Sequence, residues 1–235
     1  MKVLKIIGKI IGYLLLIILL AIVLSYGIIA YQTSRTQINY QDQITETSEN
    51  FNIDPLLTAS IVKVESDFDN DAQSHQGAQG LMQLLDETAR HSAEVIGMDY
   101  YPEKLNDIDY NLNLGVGYYN YLIKYYNNQK LALAAYNGGV GNVDKWIKDG
   151  VLDKNNPDIS KIPFDETRQY VTKVEATYDV YKTFYKDSLP DNNTLTNLEQ
   201  LSYNNFMKFV NQILFNVVWV DECVKFIYNR TENNY

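Results

Sequence analysis

Cysteine and histidine are scarce in this sequence, which has one cysteine, Cys223, and two histidines, His75 and His91, among 235 residues. A lone cysteine excludes an internal disulfide, and the three side chains are too few for a four-ligand Cys/His zinc site. Asp67, Asp69 and Asp71 do not complete a calcium loop, because alanine occupies positions 72 and 78, where glycine and glutamate would be needed. We therefore expect no metal ion, and no feature of the sequence predicts a cofactor.

Positive charge is also in short supply. The formal net charge is −9, and the first acidic residue, Asp42, follows an N-terminal segment that carries Lys2, Lys5 and Lys9. Binding to nucleic acid depends on clustered lysine and arginine side chains that neutralise phosphates. An acidic chain without a basic stripe is a poor candidate for that class, so we expect no nucleic-acid partner.

The N-terminal segment is long and apolar. No residue from Ile10 to Ser34 is charged, and the 22 residues from Ile10 to Tyr31 would span about 33 Å as a helix, enough for a hydrocarbon core of about 30 Å. Residues 1–31 are interpreted as an uncleaved membrane anchor, with a cleaved signal peptide as the alternative. Three lysines before the span and a single arginine, Arg35, after it predict a cytoplasmic N-terminus, with the rest of the chain on the other side of the membrane.

Three further segments follow this anchor. Residues 32–50 are polar and are expected to form a linker, residues 51–187 a single globular domain, and residues 188–235 a C-terminal extension. In the domain, Asp54 followed by Pro55 is typical of a helix start, and an apolar stripe continues through Leu57, Ile61 and Val64. Helices are also predicted over 110–126, 131–136 and 166–185. Strand signals are few, so the domain is expected to be mainly α-helical.

The C-terminal extension contains a heptad-like apolar pattern, with alternating spacings of four and three over Phe206, Val210, Ile213, Val217, Val220, Val224 and Ile227. Polar side chains such as Lys208, Asn211 and Gln212 argue against a second membrane span. The pattern predicts an amphipathic helix. This helix would either pack on the domain or bind a protein partner or a second copy of the chain.

Glu65 is placed near the end of the helix that begins at Pro55, next to the apolar residues Ile61 and Val62. Apolar neighbours disfavour the ionised carboxylate, and the free carbonyls of a helix C-terminus repel negative charge. Both effects raise the pKa, as a proton donor at neutral pH requires. Taken alone, a glutamate at a helix end is far more often a solvated surface charge.

The surrounding sequence changes this interpretation. Four blocks occur in order: ESDFDNDAQSHQGAQGLMQLLDETA at 65–89, NLNLGVGYY at 111–119, ALAAYNGGVGNVDKW at 132–146 and IPFDETRQYV at 162–171. Together they resemble the soluble-lytic-transglycosylase (SLT) domain family. The chain departs from this family at Asp71 and Asp86, where the family often has proline, and in the loop Gly138–Gly141. The resemblance implies a lysozyme-like fold, mainly α within an α+β superfamily.

The resemblance also implies an activity and a site. Members of this family cleave the β-1,4 bond between MurNAc and GlcNAc in peptidoglycan and form a 1,6-anhydro-MurNAc end. By position, Glu65 would be the single catalytic acid and base. The residues that would line the glycan cleft are Ser74, Met82, Gln83, Tyr136, Asn137 and Tyr170. For an anchored wall enzyme, the domain would lie on the extracytoplasmic side of a bacterial membrane.

Two other functions remain open from the sequence. A second carboxylate, sought among Asp67, Asp69 and Asp71, would make the protein a hydrolytic muramidase. Alternatively, the domain would bind glycan without turnover, as a scaffold of a wall-spanning machine.

Other side chains in these blocks are given simpler roles. The histidines are expected at the surface or behind the site, and the tyrosines of 118–126 in the core and groove wall. Glu166 is expected to pair with Arg168 or to contact substrate.

Overall fold

The computed structural model describes residues 2–185, 189, 202–203 and 205–213, and these residues belong to two compact units. One unit comprises residues 1–37 together with 193–235, and the other comprises residues 38–192. Up to residue 185 the α-helices are α1 Lys2–Arg35, α2 Gln41–Phe51, α3 Pro55–Ser66, α4 Asp86–Ile96, α5 Ile108–Tyr126, α6 Gln129–Gly138, α7 Val140–Lys148 and α8 Asp165–Tyr185.

The first unit is built on α1, whose large apolar side chains between Ile6 and Tyr31 are exposed. This stretch has a mean hydropathy of 2.8 and is long and apolar enough to cross a membrane. The short helix at 205–213 belongs to the same unit, where the rings of Phe206 and Tyr26 meet edge to face with centroids 5.3 Å apart. The described part of the extension therefore packs on α1, whereas the sequence predicted packing on the globular domain or a partner. The heptad positions after Ile213 lie outside the described residues.

The second unit is helical, as the sequence predicted. Helix α5 is at its centre, in contact with α2, α4 and α6, while α8 packs on α3 and α6. Leu112, Leu114 and Leu122 of α5 are completely buried, and so are the alanines of α6 at 132, 134 and 135, whose small side chains allow close packing of the two helices. Among the described residues there is no extended strand, and only isolated β-bridges link Gln79 to Gln73 and to Leu84.

Residues 32–50 were expected to form a linker, but most of them are helical in the structure. Helix α1 continues to Arg35, and residues 41–51 form α2, which packs on α3 and α5. Ile44 is fully buried, and the buried Ser48 hydroxyl donates a hydrogen bond to the Thr58 hydroxyl of α3 at 2.8 Å. The second unit thus begins near Ile38 rather than at Phe51. The polar composition of this segment concealed a helix because its buried face is largely small and polar.

Candidate active site

Helix α3 brings Glu65 to the edge of the core. The Asp54 side chain accepts the Leu56 backbone N–H at 2.8 Å, and Pro55 occupies the first helical position, so the helix starts where the sequence predicted. It ends at Ser66, because Asp67 and Phe68 adopt left-handed backbone conformations. The carboxyl of Glu65 is therefore in the last turn and half-buried.

The environment of Glu65 raises its pKa from the usual 4.5 to about 7. The largest cause is burial, which disfavours the charged carboxylate. The hydroxyl of Tyr170 acts in the opposite sense by interacting with the carboxyl, and the charge of Glu166 raises the pKa further. Near neutral pH a substantial fraction of Glu65 therefore keeps its proton, and the side chain can either donate or accept one.

The chain after Glu65 folds into a tight turn held by a buried asparagine. Asn111 of α5 accepts the Met82 N–H at 2.8 Å, and its amide donates to the carbonyls of Gln79 at 3.0 Å and Leu105 at 2.8 Å. Gly80 has φ +75°, and a Cβ at this position would clash with the Asn111 side chain. Only glycine lets the turn approach α5 this closely.

Two tyrosines stand behind the carboxyl. The rings of Tyr136 and Tyr170 are stacked, with centroids 6.5 Å apart and an interplanar angle of 6°. The Tyr136 hydroxyl donates to the Met82 carbonyl at 2.9 Å. Burial, followed by the charge of Glu65, raises the pKa of both hydroxyls well above 10, so both remain neutral donors. Tyr170 is almost completely buried, and its hydroxyl interacts with the Glu65 carboxyl without a hydrogen bond of normal geometry to any described residue.

A cleft of about 360 Å³ opens in front of Glu65. Of the residues predicted for the site, Glu65, Ser74, Gln83, Tyr136 and Asn137 line it. The others on its wall are His75, Gln76, Ala78, Leu84, Leu85, Thr88 and Glu166. Polar side chains thus face apolar ones across a single groove, an arrangement suited to a sugar with hydroxyl groups and flat ring faces.

Ser74 and Gln83 also hold the turn in place. The Ser74 hydroxyl accepts the Ala78 N–H at 3.0 Å, and the Gln83 amide donates to the carbonyls of Ala72 at 2.9 Å and Gly80 at 3.0 Å. These bonds use the Gln83 amide hydrogens and one acceptor position of the Ser74 oxygen. The Ser74 hydroxyl hydrogen and the Gln83 amide oxygen are therefore left to bind a ligand. The predicted polar lining is therefore fixed before any ligand arrives.

Met82 and Tyr170 do not line the cleft. The Met82 side chain is fully buried, and its sulfur lies where a Cβ on Gly115 of α5 would be, so the prediction that it faces the glycan is corrected. The next residue, Gln83, has a left-handed backbone conformation and does line the cleft. Tyr170 lies one layer behind the cleft wall and contacts Glu65 from there.

From the sequence, Glu166 was expected to pair with Arg168 or to contact substrate. Arg168 pairs with Asp165, three residues before it on α8, and also donates to the Ile162 carbonyl, so the expected Glu166–Arg168 pair does not form. Residues two apart point to different sides of a helix, whereas residues three apart are neighbours. Glu166 instead faces the cleft as its second carboxylate. The block 162–171 contained this residue, but its spacing did not reveal which way the side chain points.

His75 also lines the cleft, whereas His91 stands edge to face with Tyr118 and Tyr121. Asp67 pairs with Lys63 on α3. No cluster of three or more His, Cys, Asp or Glu side chains that could hold a metal ion occurs in the part of the chain that the structure describes. The cleft itself presents one carboxyl group with a raised pKa, Glu65, a neighbouring carboxylate, Glu166, and polar hydrogen-bonding groups.

Comparisons with known proteins agree with this geometry. Residues 42–157 match the family model described as the transglycosylase SLT domain. The soluble lytic murein transglycosylase of Salmonella typhimurium is 34% identical over 152 residues, which cover 63% of this chain and 23% of that protein. The membrane-bound lytic murein transglycosylase C of Edwardsiella ictaluri is 28% identical over 173 residues, covering 61% of this chain and 46% of that protein.

Solved structures show the same relationship. The crystal structure of the 70 kDa soluble lytic transglycosylase of Escherichia coli matches with a TM-score of 0.61 at 30% identity, over 67% of this chain and 26% of that one. The fold around the cleft is thus lysozyme-like. The matched part of the chain, residues 42–157, is an SLT domain of the lytic transglycosylase family. It spans about a quarter of the length of the soluble relatives and just under half that of the membrane-bound one.

Proposed function

We propose that this protein is a peptidoglycan lytic transglycosylase that cleaves the β-1,4 bond between MurNAc and GlcNAc. One observation carries the proposal: a half-buried glutamate whose pKa is about 7 faces a cleft of about 360 Å³ lined by polar groups. Such a carboxyl is protonated often enough at neutral pH to act as an acid, and is readily reprotonated after acting as a base. The named activities of the relatives support the same substrate.

The proposed reaction has two proton transfers. Protonated Glu65 first gives its proton to the glycosidic oxygen, and the bond from that oxygen to C1 of MurNAc breaks. The ionised Glu65 then accepts the proton of the MurNAc 6-hydroxyl, whose oxygen bonds to C1 and forms the 1,6-anhydro ring. No water is consumed, and Glu65 ends protonated for the next cycle. Glycosidases commonly use two carboxylates, and here the substrate's N-acetyl group would stabilise the positive charge at C1.

The other residues of the site have supporting roles in this proposal. The Ser74 hydroxyl, the Gln83 amide oxygen and the Asn137 amide would hydrogen-bond sugar hydroxyls and N-acetyl groups. Tyr170 would hold the Glu65 carboxyl in one orientation, since its neutral hydroxyl can donate to the carboxylate formed after the first transfer. Tyr136 would fix the wall through its bond to the Met82 carbonyl.

A solved relative supports the role of a glutamate. The structure of the lytic transglycosylase Slt from Pseudomonas aeruginosa is that of an inactive mutant in which glutamine replaces a glutamate. It matches this chain with a TM-score of 0.58 at 33% identity, over 65% of this chain and 25% of that one. We propose that Glu65 is equally required here, since glutamine has nearly the same shape but neither gives nor takes a proton.

A hydrolytic muramidase is the second candidate, and Glu166 is the observation that favours it. Two carboxylates on one cleft are the arrangement with which glycosidases activate water. Glu166 would then act as the base, in place of Asp67, Asp69 and Asp71 considered from the sequence. A hydrolase leaves a reducing MurNAc end, whereas a transglycosylase leaves an anhydro end, so the product separates the two functions.

The test is mass spectrometry of the fragments released from purified sacculi by the full-length chain in detergent. We expect anhydro-MurNAc ends from the wild type, a loss of at least about a hundredfold in Glu65→Gln, and anhydro ends still formed by Glu166→Gln. Glu94→Gln, on the exposed side of α4, is the matched control. Reducing ends that disappear in Glu166→Gln would establish the hydrolase. No release by the wild type, with sacculus binding retained, would support a scaffold.

We also propose that α1 anchors the protein with its N-terminus in the cytoplasm and the domain on the cell-wall side. The apolar span and the lysines before it support this orientation. The test uses two variants, Lys2→Cys and Asn155→Cys, each in a Cys223→Ser background. Intact cells from which the outer wall has been removed are treated with a membrane-impermeant maleimide, and labelling of each variant is measured. Labelling at position 155 alone is expected, and labelling at position 2 would reverse the orientation.

A further inference from the structure

A second pocket of about 380 Å³ lies outside the catalytic cleft. It is lined by Tyr125, Tyr126, Asp144, Ile147, Lys148 and Lys154, none of which belongs to the site described above. Its wall combines two aromatic rings, an isoleucine, one carboxylate and two lysines. These are the groups that a ligand with a flat apolar face and a negative charge requires.

Asp144 fixes the two tyrosines of this pocket. Its two carboxylate oxygens accept the hydroxyls of Tyr125 and Tyr126, each at 3.0 Å. The two rings meet edge to face, with centroids 4.8 Å apart and an interplanar angle of 81°. Tyr125 nevertheless remains 48% exposed. An exposed ring that is held at both its hydroxyl and its edge offers a fixed face to a ligand, with little entropy left to lose on binding.

The lysines give the pocket a local charge opposite to that of the protein. Lys148 and Lys154 are exposed, and neither forms an ion pair within the described residues, in contrast to Lys63, which is paired with Asp67. The chain as a whole carries a formal charge of −9. Asp144 keeps its negative charge while it accepts the two tyrosine hydroxyls, so the lining residues carry two positive charges and one negative charge. The excess positive charge favours an anion, and a carboxylate is the simplest match.

A row of tyrosine rings connects this pocket to the catalytic cleft. Starting at Tyr136 on the cleft wall, ring centroids follow at 5.8 Å to Tyr118, 6.2 Å to Tyr121 and 6.2 Å to Tyr125. The two sites are therefore close enough for different parts of one polymer to occupy both. Tyr118 is buried within the row, whereas Tyr136 lines the cleft at one end and Tyr125 is exposed at the other.

We propose that this pocket is an accessory binding site for a carboxylate-bearing amino sugar of the cell wall, such as a muramyl residue with its lactyl or peptide carboxylate. The sugar ring covers the face of Tyr125, and the carboxylate lies between Lys148 and Lys154. The identity of the ligand rests on the function proposed above. The site would hold a long glycan strand near the cleft and raise its effective concentration there.

The test separates binding to a polymer from turnover of a short substrate. Sacculus binding is measured by cosedimentation with full-length Glu65→Gln protein in detergent, alone and combined with Tyr125→Ala or Lys148→Glu. Each change is expected to weaken binding roughly fivefold, the size of one lost aromatic contact or ion pair. In the background with Glu65 intact, both variants should keep their rate on a short soluble glycan fragment, since neither residue touches the cleft.

Matched control variants exist outside the pocket. Lys173→Glu reverses the charge of an exposed lysine of α8, and Tyr101→Ala removes a tyrosine of similar exposure, 40%. Neither should change binding. Sacculi whose carboxylates are converted to methylamides should bind parent and Lys148→Glu equally. Because Lys148 is exposed, its variant should fold normally, so its result remains decisive if Tyr125→Ala proves unstable.

Equal sacculus binding by the parent, Tyr125→Ala and Lys148→Glu would overturn the accessory site. An equal loss in the two control variants, or an unchanged effect of Lys148→Glu on the methylamide sacculi, would do the same. Failure of the proposed function has a different signature, namely that the wild type releases no fragments from sacculi. The two outcomes are read in separate assays, one on binding and one on products.

Discussion

Replacing Glu65 by glutamine is expected to stabilise the fold at alkaline pH while it abolishes activity. The folded-state pKa of Glu65 is about 7, whereas the ordinary value of 4.5 describes the unfolded chain. Below pH 4.5 the carboxyl is protonated in both states, and the substitution should matter little. As pH rises from 4.5 to 7 the unfolded chain releases its proton more readily, so the wild type progressively loses stability. Glutamine does not ionise and escapes this loss.

The magnitude follows from the difference between the two pKa values. Each unit is worth about 1.4 kcal/mol, so the full penalty above pH 7 is about 3 kcal/mol. Water in the cleft screens one edge of the carboxyl, which lowers the expected value to about 2 kcal/mol. This amount is a large fraction of the free energy of unfolding of a typical domain, about 5–15 kcal/mol. The effect should therefore be measurable by ordinary denaturation.

The assay is urea unfolding of full-length protein in detergent at pH 4.5 and pH 8, followed by tryptophan fluorescence. Glu65→Gln should be more stable than the wild type at pH 8 by about 2 kcal/mol, with the difference close to zero at pH 4.5. Glu94→Gln, whose carboxyl is exposed on α4, should show no such change with pH. A difference between Glu65→Gln and wild type that is the same at both pH values would refute a carboxyl destabilised by burial.

Three further predictions concern the same domain. Activity should fall above about pH 7 as Glu65 loses its proton, and Glu166→Gln should move this limb of the pH–rate profile to lower pH, because it removes a charge that raises the pKa. Asn111→Ala should lower the free energy of unfolding by about 3 kcal/mol in urea titrations, since it deprives the Met82 N–H and two carbonyls of their partner. Ile44→Ala should cost roughly 2–5 kcal/mol if α2 is part of the core, and an effect near zero would return that segment to a linker.

Local signals in the sequence were sufficient for several elements. Asp54 and Pro55 predicted the start of α3, and the apolar spacing of Leu57 and Ile61 predicted its buried face, because capping and helical periodicity depend on neighbours within a few residues. The ordered blocks predicted which distant segments come together. Five of the seven residues inferred for the site line the cleft for that reason.

The exceptions depend on contacts that no local pattern encodes. Whether Met82 faces the cleft or the core is decided by the left-handed turn at Gln83 and by the space above Gly115. Glu166 lines the same cleft as Glu65, and the packing of α8 on α3 brings the two residues together. Helix α2 was missed since Ile44 is its only buried apolar residue, and its other buried residues are polar, including Ser48, which bonds to Thr58 of α3. These are tertiary effects, and they override local composition.

The cleft at Glu65 is locally unfavourable, and the surrounding hydrogen bonds stabilise it. Three non-glycine residues around Glu65 adopt left-handed conformations, Asp67, Phe68 and Gln83, each of which costs of order 1 kcal/mol or more. The burial of Glu65 adds to that cost. Opposing it are the Asn111 network and the bond from the Ser66 hydroxyl to the Leu81 carbonyl at 2.8 Å, which tie the turn to the core on both sides. A glutamate can stay uncharged at the edge of the core because the turn cannot relax to solvate it, so weakening the network should lower the Glu65 pKa as well as the stability.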